Sequence, residues 1–212
     1  IRVAADLHVH TCLSPCAERL MRPRAIVEAA VARGIGMIGV CDHNSAGNVR
    51  AVAEAAVGRL CVISGMEITT SEEAHVVGLF PTAESAEAAA REVAGDLPRS
   101  RQPMEQELVD ADGVTRGIEP LMLSVASAFS LEGTIGLVHR HGGLAIAAHV
   151  DRRSFSVPSQ LGFIPPAAEF QALEISAYGA RAGRAGAFAG LGFPLTTGSD
   201  AHAPELVGEG FV

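Results

Sequence analysis

The sequence contains no lysine, because all 16 of its basic residues are arginine. This absence excludes chemistry that needs a lysine, such as a Schiff base or a P-loop phosphate site. Tryptophan is also absent and aromatic residues make up only 4% of the chain, which argues against an aromatic platform for stacking nucleic-acid bases. No apolar run approaches the length of a membrane span, and no secretory leader is visible, so we expect no membrane partner.

The charge and cysteine content narrow the class further. A formal net charge of −8 argues against long nucleic acid as a partner, although it leaves room for a local basic patch. Four cysteines in 212 residues are too few for a disulfide framework, so we expect a reduced, cytoplasmic protein. The chain is 48% hydrophobic, which suits one globular domain over residues 1–212. The sequence does not indicate an oligomeric state.

Along the chain, short β-branched runs alternate repeatedly with Ala-rich amphipathic stretches. About seven strand-like runs can be counted, and the helical stretches between them include Arg24–Arg33 and Ala180–Ala189. Apolar strands that alternate with helices predict an α/β fold with a mainly parallel sheet, either open or closed into a small distorted barrel. Between Gly95 and Ser130 a polar excursion interrupts the alternation, and we expect a functional loop or lid there.

Histidine and acidic residues follow the predicted strands. Functional side chains of parallel α/β folds gather at the carboxyl ends of the strands. Six of the eight histidines and three acids fall into this set, although His75 precedes its strand, which leaves its end of the sheet open. The set is His8, His10, Asp42, His43, Glu67, His75, His149, Asp200 and His202. His139 and His141 close a helix and are interpreted as structural.

Imidazoles and carboxylates together are the ligands of Zn, Mn or Fe. The number of ligands exceeds the need of one tetrahedral ion, so we expect two or three divalent ions. Clustered divalent ions activate water and stabilise the attacking and leaving oxygens of phosphoester hydrolysis. Asp6 is a candidate partner that holds an imidazole tautomer. Asp42 is the candidate catalytic carboxylate, as a ligand or as support for one, with a plain Asx cap as the alternative.

The motifs themselves carry a family resemblance. The stretches Asp6-Leu7-His8-Val9-His10-Thr11, Asp42-His43-Asn44, Gly65-Met66-Glu67, His75-Val76-Val77-Gly78-Leu79, Ala148-His149 and Ser199-Asp200-Ala201-His202 occur in this order. They resemble the successive motifs of the PHP (polymerase and histidinol phosphatase) family, over nearly the whole chain. Leu13-Ser14-Pro15-Cys16 and Val150-Asp151-Arg152 are similar to an uncharacterised bacterial subgroup without a settled substrate. The resemblance implies a distorted seven-stranded (β/α) barrel with metal-dependent phosphoesterase activity.

The resemblance also implies how the ligands divide among the ions. One ion would be held by His8, His10, Glu67 and Asp200, and a second would share Glu67 and add His75 and His149. A third would use His43 and His202, with a ligand that is often His or Asp in relatives. In this sequence that place falls on Cys16, which is a departure from the pattern. A thiolate would favour Zn there, whereas an inert cysteine would leave the third site weak.

Arginines supply the candidate phosphate contacts. Arg152 and Arg153 follow His149 closely, and we expect Arg152 to act in catalysis and both to bind the substrate phosphate, with a solvated loop charge as the alternative. A second candidate patch is Arg19, Arg22 and Arg24 at the start of the first helix.

The sequence thus predicts a metal-dependent phosphoesterase for a small phosphorylated metabolite or nucleotide. A nuclease acting on nucleic-acid ends or short oligonucleotides and a non-catalytic, metal-stabilised regulatory module are the alternatives. Hydrolysis of another ester or an amide also stays open, because a divalent ion can activate water toward a carbonyl as well.

Overall fold

A computed structural model describes residues 2–102 and 104–210. The strands are β1 (Ala5–Val9), β2 (Met37–Val40), β3 (Cys61–Thr69), β4 (His75–Phe80), β5 (Glu107–Val109), β6 (Thr115–Ile118), β7 (Leu144–Ala147), β8 (Ala172–Ser176) and β9 (Leu195–Gly198). The helices are α1 (Pro23–Ala32), α2 (Val49–Ala55), α3 (Ala83–Ala94), α4 (Leu131–Arg140), α5 (Val157–Leu161) and α6 (Ala177–Arg181). Across these described ranges, no helix is long and apolar enough to cross a membrane.

Seven of the strands form one sheet in the order β1-β2-β3-β4-β7-β8-β9. Its two outer strands approach each other beyond their carboxyl ends, where the amide of His10 donates to Ala201 O at 3.0 Å. The amide of Asp200 donates to His8 O at 2.9 Å in the same seam. The sheet is therefore a nearly closed barrel, which confirms the predicted distorted seven-stranded α/β barrel.

Strand β4 runs against its neighbours. It pairs antiparallel with both β3 and β7, whereas the other pairs in the sheet are parallel. The register pairs His75 at the start of β4 with Thr69 at the end of β3. The amino end of β4 thus lies at the edge where the parallel strands have their carboxyl ends, which places His75 with the other histidines.

Two apolar layers hold the barrel. A large core of buried side chains lies between sheet and helices, and includes Ile26 of α1, Val52 of α2 and Ile135 of α4. A smaller cluster joins Cys41, Val77 and Ile146 with partly buried Leu7 and residues of other strands. Because nearly every strand contributes to this second cluster, it fills the barrel interior. Both layers explain why the strands have apolar residues on both faces.

Two segments differ from the sequence prediction. The helix predicted over Ala180–Ala189 ends at Arg181, because Gly183 adopts a left-handed φ of 71° and the chain continues in 3-10 turns. The polar excursion contains an unpredicted antiparallel hairpin of β5 and β6. Glu107 of this hairpin accepts from Arg22 Nη2 at 2.7 Å and from Arg19 Nε at 2.9 Å, which docks it on the start of α1.

Candidate metal centre

The ends of the strands bring the predicted ligands to one edge of the barrel. The ligand atoms fall into three groups, each with all atoms within 4.8 Å of one another. These groups are His8, His10, Glu67 and Asp200; His43, Glu67 and His75; and His10, His43 and His202. The first group is the set expected for the first ion, and the other two share residues with it.

The first group is fully buried at the end of β1. His10 Nε2 lies 2.9 Å from Asp200 Oδ1 and 3.5 Å from Glu67 Oε2. His8 Nε2 lies 3.4 Å from Glu67 Oε1 and 3.5 Å from Asp200 Oδ1. Two imidazoles and two carboxylates therefore converge on one small volume.

Glu67 links the first group to the second. Its Oε1 atom lies 2.9 Å from His75 Nδ1 and 3.1 Å from His149 Nε2. Its Oε2 atom lies 3.0 Å from His43 Nδ1. The second group thus has His43 where the expected set has His149, and His149 contacts the same carboxylate without belonging to any of the three groups. A carboxylate that faces ligands on both sides is the arrangement of a bridge between two ions.

Cys16 lies between His43 and His202. Its Sγ atom is 3.2 Å from His43 Nε2 and 3.1 Å from His202 Nε2. Burial raises the pKa of this thiol, but hydrogen bonds with His202 and His43 outweigh it and lower the pKa to about 6. The sulfur therefore lies beside both histidines of the third set that the resemblance implies.

The imidazole tautomers of the first group follow from partners behind it. His8 Nδ1 contacts Glu174 Oε1 at 3.0 Å, and a carboxylate accepts the hydrogen there. His10 Nδ1 lies 2.8 Å from Ser14 Oγ, and that hydroxyl donates its own hydrogen to Asp42 Oδ1 at 2.7 Å. Each ring therefore keeps its hydrogen on Nδ1 and presents a lone pair on Nε2.

The arrangement of these lone pairs fits a cation. His8 Nε2 and His10 Nε2 lie 3.2 Å apart, which is repulsive when both nitrogens carry lone pairs. Asp200 Oδ1 is buried and has no hydrogen-bond partner among the described residues, although it lies close to both rings. A divalent ion between these atoms would satisfy all three, so the donor set fits a metal.

The electrostatics prepare the same residues for ligation. Burial opposes the ionisation of Glu67, but the positive potential of His75 and His8 holds its pKa well below its usual range. Burial also opposes the ionisation of Asp200, and His8 and His10 still hold the pKa of Asp200 well below normal. Burial and neighbouring imidazoles lower the pKa of His10 well below normal. Anionic carboxylates and the neutral imidazole of His10 are the protonation states that bind metals. Burial opposes a charge on His8, but Glu174, Glu67 and Asp200 raise its pKa well above normal, so an ion would displace a proton from that ring.

Unusual backbone geometry occurs at the same edge. His149 has a φ of 29° and Asp200 a φ of 52°, a region that costs non-glycine residues about 1–3 kcal/mol. The strain is held by hydrogen bonds from the amide of Asp200 to His8 O and from the amide of His149 to Glu174 Oε1. The backbone is thus strained where it aims two candidate ligands at the cluster.

The two arginines in the loop after β7, Arg152 and Arg153, differ in position. Arg152 Nη1 lies 2.6 Å from Asp200 Oδ2, while 42% of its side chain is exposed. It therefore reaches from the cluster to solvent. Arg153 is exposed and makes no hydrogen bond or ion pair with another described residue. Only Arg152 is placed at the cluster by a contact.

Two interpretations from the sequence need correction, and the one for Asp42 is narrowed to its supporting role. Asp6 holds no imidazole, since its oxygens accept from the amides of Ser199 and Gly208, while Glu174 holds His8. Asp42 accepts hydrogen bonds from Thr11 and Ser14 and lies behind His10, so it positions a ligand and does not face a substrate. Arg19, Arg22 and Arg24 are each paired with Glu107 or Asp112, so these contacts hold the β5–β6 segment against α1 instead of forming a free phosphate patch.

Sequence reasoning missed Glu174 and Ser14. Glu174 is a buried acid inside the apolar strand β8, and an acid in such a place is a signal for a functional partner. Ser14 has a weaker signal, since a serine in a loop is usually a turn residue. The predicted structural roles of His139 and His141 agree with their contacts to Gln171 and Glu92.

A cluster of imidazoles and carboxylates at the carboxyl edge of a β/α barrel is the construction of a metal-dependent hydrolase. The chain belongs to the PHP domain family, whose family model matches residues 6–178. The predicted family is thereby confirmed.

Solved structures show the same fold. The lesion-specific endonuclease PfuEndoQ from Pyrococcus furiosus superposes with a TM-score of 0.69 at 18% identity, over 96% of this chain and 49% of that one. The chain therefore spans about half the length of that endonuclease. A candidate metal-dependent phosphoesterase from Bifidobacterium adolescentis superposes with a TM-score of 0.63 at 19% identity, over 95% of this chain and 88% of that one. An amidohydrolase from Chromobacterium violaceum, solved with sulfate and no metal, superposes with a TM-score of 0.62 at 22% identity, over 98% of this chain and 90% of that one. No curated protein sequence matches this chain.

Proposed function

We propose that this chain is a phosphoesterase that removes phosphate from a small phosphorylated metabolite or nucleotide. The observation that carries the proposal is Arg152, whose guanidinium reaches the cluster at Asp200 and is still partly open to solvent. A guanidinium beside clustered cation ligands is suited to a phosphoryl group, because it offers paired donors in a fixed plane. The net charge of −8 favours a small substrate over a long polyanion.

The residues have separate tasks in this proposal. The ligands are His8, His10, His43, Glu67, His75, His149, Asp200 and His202, with Cys16 treated below. Two or three divalent ions held there, Zn, Mn or Fe, supply activation of water and neutralisation of phosphoryl charge. Arg152 binds a phosphoryl oxygen and orients the ester, and Arg153 contributes charge at the entrance.

The surroundings support these tasks. Glu174 and Ser14 hold the hydrogens of His8 and His10 on Nδ1, so that both Nε2 atoms stay free. The apolar cluster in the barrel interior keeps water from entering behind the site. We treat residues 1–212 as one catalytic domain, and the four free thiols suit a reducing, cytoplasmic environment.

The test is a substrate screen on metal-reconstituted protein. Purified chain is loaded separately with Zn, Mn or Fe and incubated with phosphomonoesters, nucleotides, oligonucleotides and carboxylic esters. Phosphate release from small monoesters, reduced at least 10-fold in Arg152→Ala but not in the exposed control Arg101→Ala, is the expected result. Cleavage confined to oligonucleotides would favour a nuclease instead. Binding of metal without turnover of any substrate would favour a regulatory module.

A further inference from the structure

The environment of Cys16 is built by contacts on both sides of its loop. The Ser14 hydroxyl accepts from the amide of His43 at 3.2 Å, which ties the loop to the end of β2. The amide of Glu18 donates to His202 O at 2.8 Å, which ties the loop to the segment after β9. The loop therefore holds Cys16 against both histidines through contacts that do not involve the sulfur.

The histidines around Cys16 form a cluster that lacks a carboxylate of its own. The ring centroid of His10 lies 4.1 Å from that of His202 and 4.7 Å from that of His43. Three imidazoles so close together are stable when their nitrogens share a cation or when the rings stay neutral. His43 Nδ1 faces away from this cluster, toward Glu67 Oε2 at 3.0 Å, so Nε2 is the atom that faces Cys16. One ligand atom each of His10, His43 and His202 lies within 4.8 Å of the other two, an arrangement that suits a shared cation independently of the thiol.

Hydrogen bonding alone accounts poorly for the two sulfur contacts. His202 Nδ1 lies 2.8 Å from Asp200 O, a backbone acceptor, so the hydrogen of this ring is on Nδ1 and Nε2 carries a lone pair. Neither protonation state of Cys16 fits two such lone pairs, because a thiol has one hydrogen for two neighbouring Nε2 atoms and a thiolate has none. An ion between sulfur and nitrogens would satisfy both contacts together.

The spacing is compatible with such an ion. Bonds of about 2.3 Å to sulfur and about 2.0 Å to nitrogen, at a tetrahedral angle, separate the two atoms by about 3.5 Å. The Sγ–Nε2 distances of 3.2 and 3.1 Å are only a few tenths shorter. A small rotation of the Cys16 side chain, which lies at the exposed rim, opens the required space.

We propose that Cys16 is a thiolate ligand of a divalent ion held together with His43 and His202, and that it makes this position selective for Zn over Mn. Thiolate ligands favour softer metals, whereas the carboxylate ligands of the first group accept harder ones. The barrel edge thus has two metal preferences, one on each side of His10. This inference rests on the proposed metal-dependent function and adds a soft site to it.

Cobalt is the probe, because Co²⁺ bound to a thiolate gives a charge-transfer absorption in the near ultraviolet and Co²⁺ bound only by nitrogen and oxygen does not. Reduced, metal-stripped full chain is titrated with Co²⁺. We expect the absorption in wild type and in Cys61→Ser, a matched control that removes an exposed thiol at the start of β3. Cys16→Ser should lose it, and Cys16→Asp should bind the ion again without it. Absence of the absorption in wild type, or its persistence in Cys16→Ser, would overturn the proposal.

Alkylation of unmutated protein gives a second measurement that does not depend on the folding of a variant. With Zn bound, iodoacetamide should modify Cys61 at least 10-fold faster than Cys16, and chelation should remove the protection of Cys16 alone. Equal protection of Cys16 with and without Zn would also overturn the proposal. Phosphate release with Mn that persists in either negative case would leave the proposed function standing while the thiolate site fails.

Discussion

At the scale of single residues, Glu67 determines whether the edge of the barrel works as one cluster. Both of its oxygens face imidazoles, and it belongs to two of the three ligand groups. Its carboxylate is held in the ionised form by the surrounding histidines. Removal of one negative charge at this point should therefore weaken two sites together.

Glu67→Gln should reduce hydrolysis by more than the roughly 10–100-fold that loss of a supporting partner costs, because a direct ligand is lost. The circular dichroism spectrum should stay that of the wild type, since an amide of the same shape preserves the packing. Glu92→Gln at the exposed end of α3 is the control and should retain full activity. Turnover near that of wild type at saturating metal would show that Glu67 does not bridge two ions.

Glu174 contacts His8 from behind the ligand cluster and acts as a positioning residue. Glu174→Gln keeps an acceptor for His8 Nδ1 but removes its charge, whereas Glu174→Ala removes the acceptor. We expect metal affinity, measured by competition with a chelator, to fall about 10–100-fold in the alanine variant and less in the glutamine variant. Equal affinities in wild type and Glu174→Ala would contradict the role that the structure assigns to this side chain.

At the scale of elements, β9 approaches β8 and β1 closely enough to require a glycine. A Cβ atom at Gly198 would lie 2.5 Å from Glu174 Oε2 and 2.8 Å from His8 Cβ. Gly198→Ala should therefore displace Glu174, lower metal affinity and cost about 1–3 kcal/mol of unfolding free energy, as overpacking does. Gly190→Ala meets no atom within 4 Å and should change neither quantity. Similar chemical denaturation curves for both variants would contradict this close approach.

The hairpin of β5 and β6 depends on the ionised form of Glu107. Hydrogen bonds from Thr115, Arg22 and Arg19 outweigh its burial and lower the pKa of Glu107 to about 2, from an ordinary value of 4.5. A depressed pKa gives stability that is present above about pH 4.5 and is lost as the pH falls toward 2. Glu107→Gln should therefore cost roughly 1.5–3 kcal/mol at neutral pH, and the difference from wild type should shrink below pH 4.5.

Urea denaturation of wild type and Glu107→Gln between pH 7 and pH 3 measures that difference. Glu28→Gln on the exposed face of α1 is the control and should track wild type at every pH. A stability difference that does not change with pH would mean that packing, not charge, anchors the hairpin to α1.

The elements also show how far sequence patterns reach. The helix predicted over Arg24–Arg33 agrees with α1 (Pro23–Ala32) to within one residue at each end, because an amphipathic pattern depends on local residues. The direction of β4 depends on a hairpin with β3 and on long-range pairing with β7, so no local pattern could place His75. The helix predicted over Ala180–Ala189 was wrong beyond Arg181, because the prediction gave more weight to the alanines of this segment than to its glycines.

At the scale of the whole molecule, the site joins segments that are far apart in the chain. The ligand set could be predicted because each motif follows a strand and all parallel strands share one carboxyl edge. The partners behind it could not, since the contact of His8 with Glu174 spans 166 positions and that of His10 with Asp42 passes through Ser14. Such contacts follow from barrel closure, which brings β8 and β9 beside β1.

The central claim is that this barrel edge holds more than one divalent ion, with Glu67 between them. Its most direct test is the metal content per chain, by elemental analysis of protein that has never met a chelator, for wild type and Glu67→Gln side by side. The account predicts two or more ions per wild-type chain and a loss of at least one in Glu67→Gln. Less than one ion per wild-type chain, or the same content in both proteins, would contradict it.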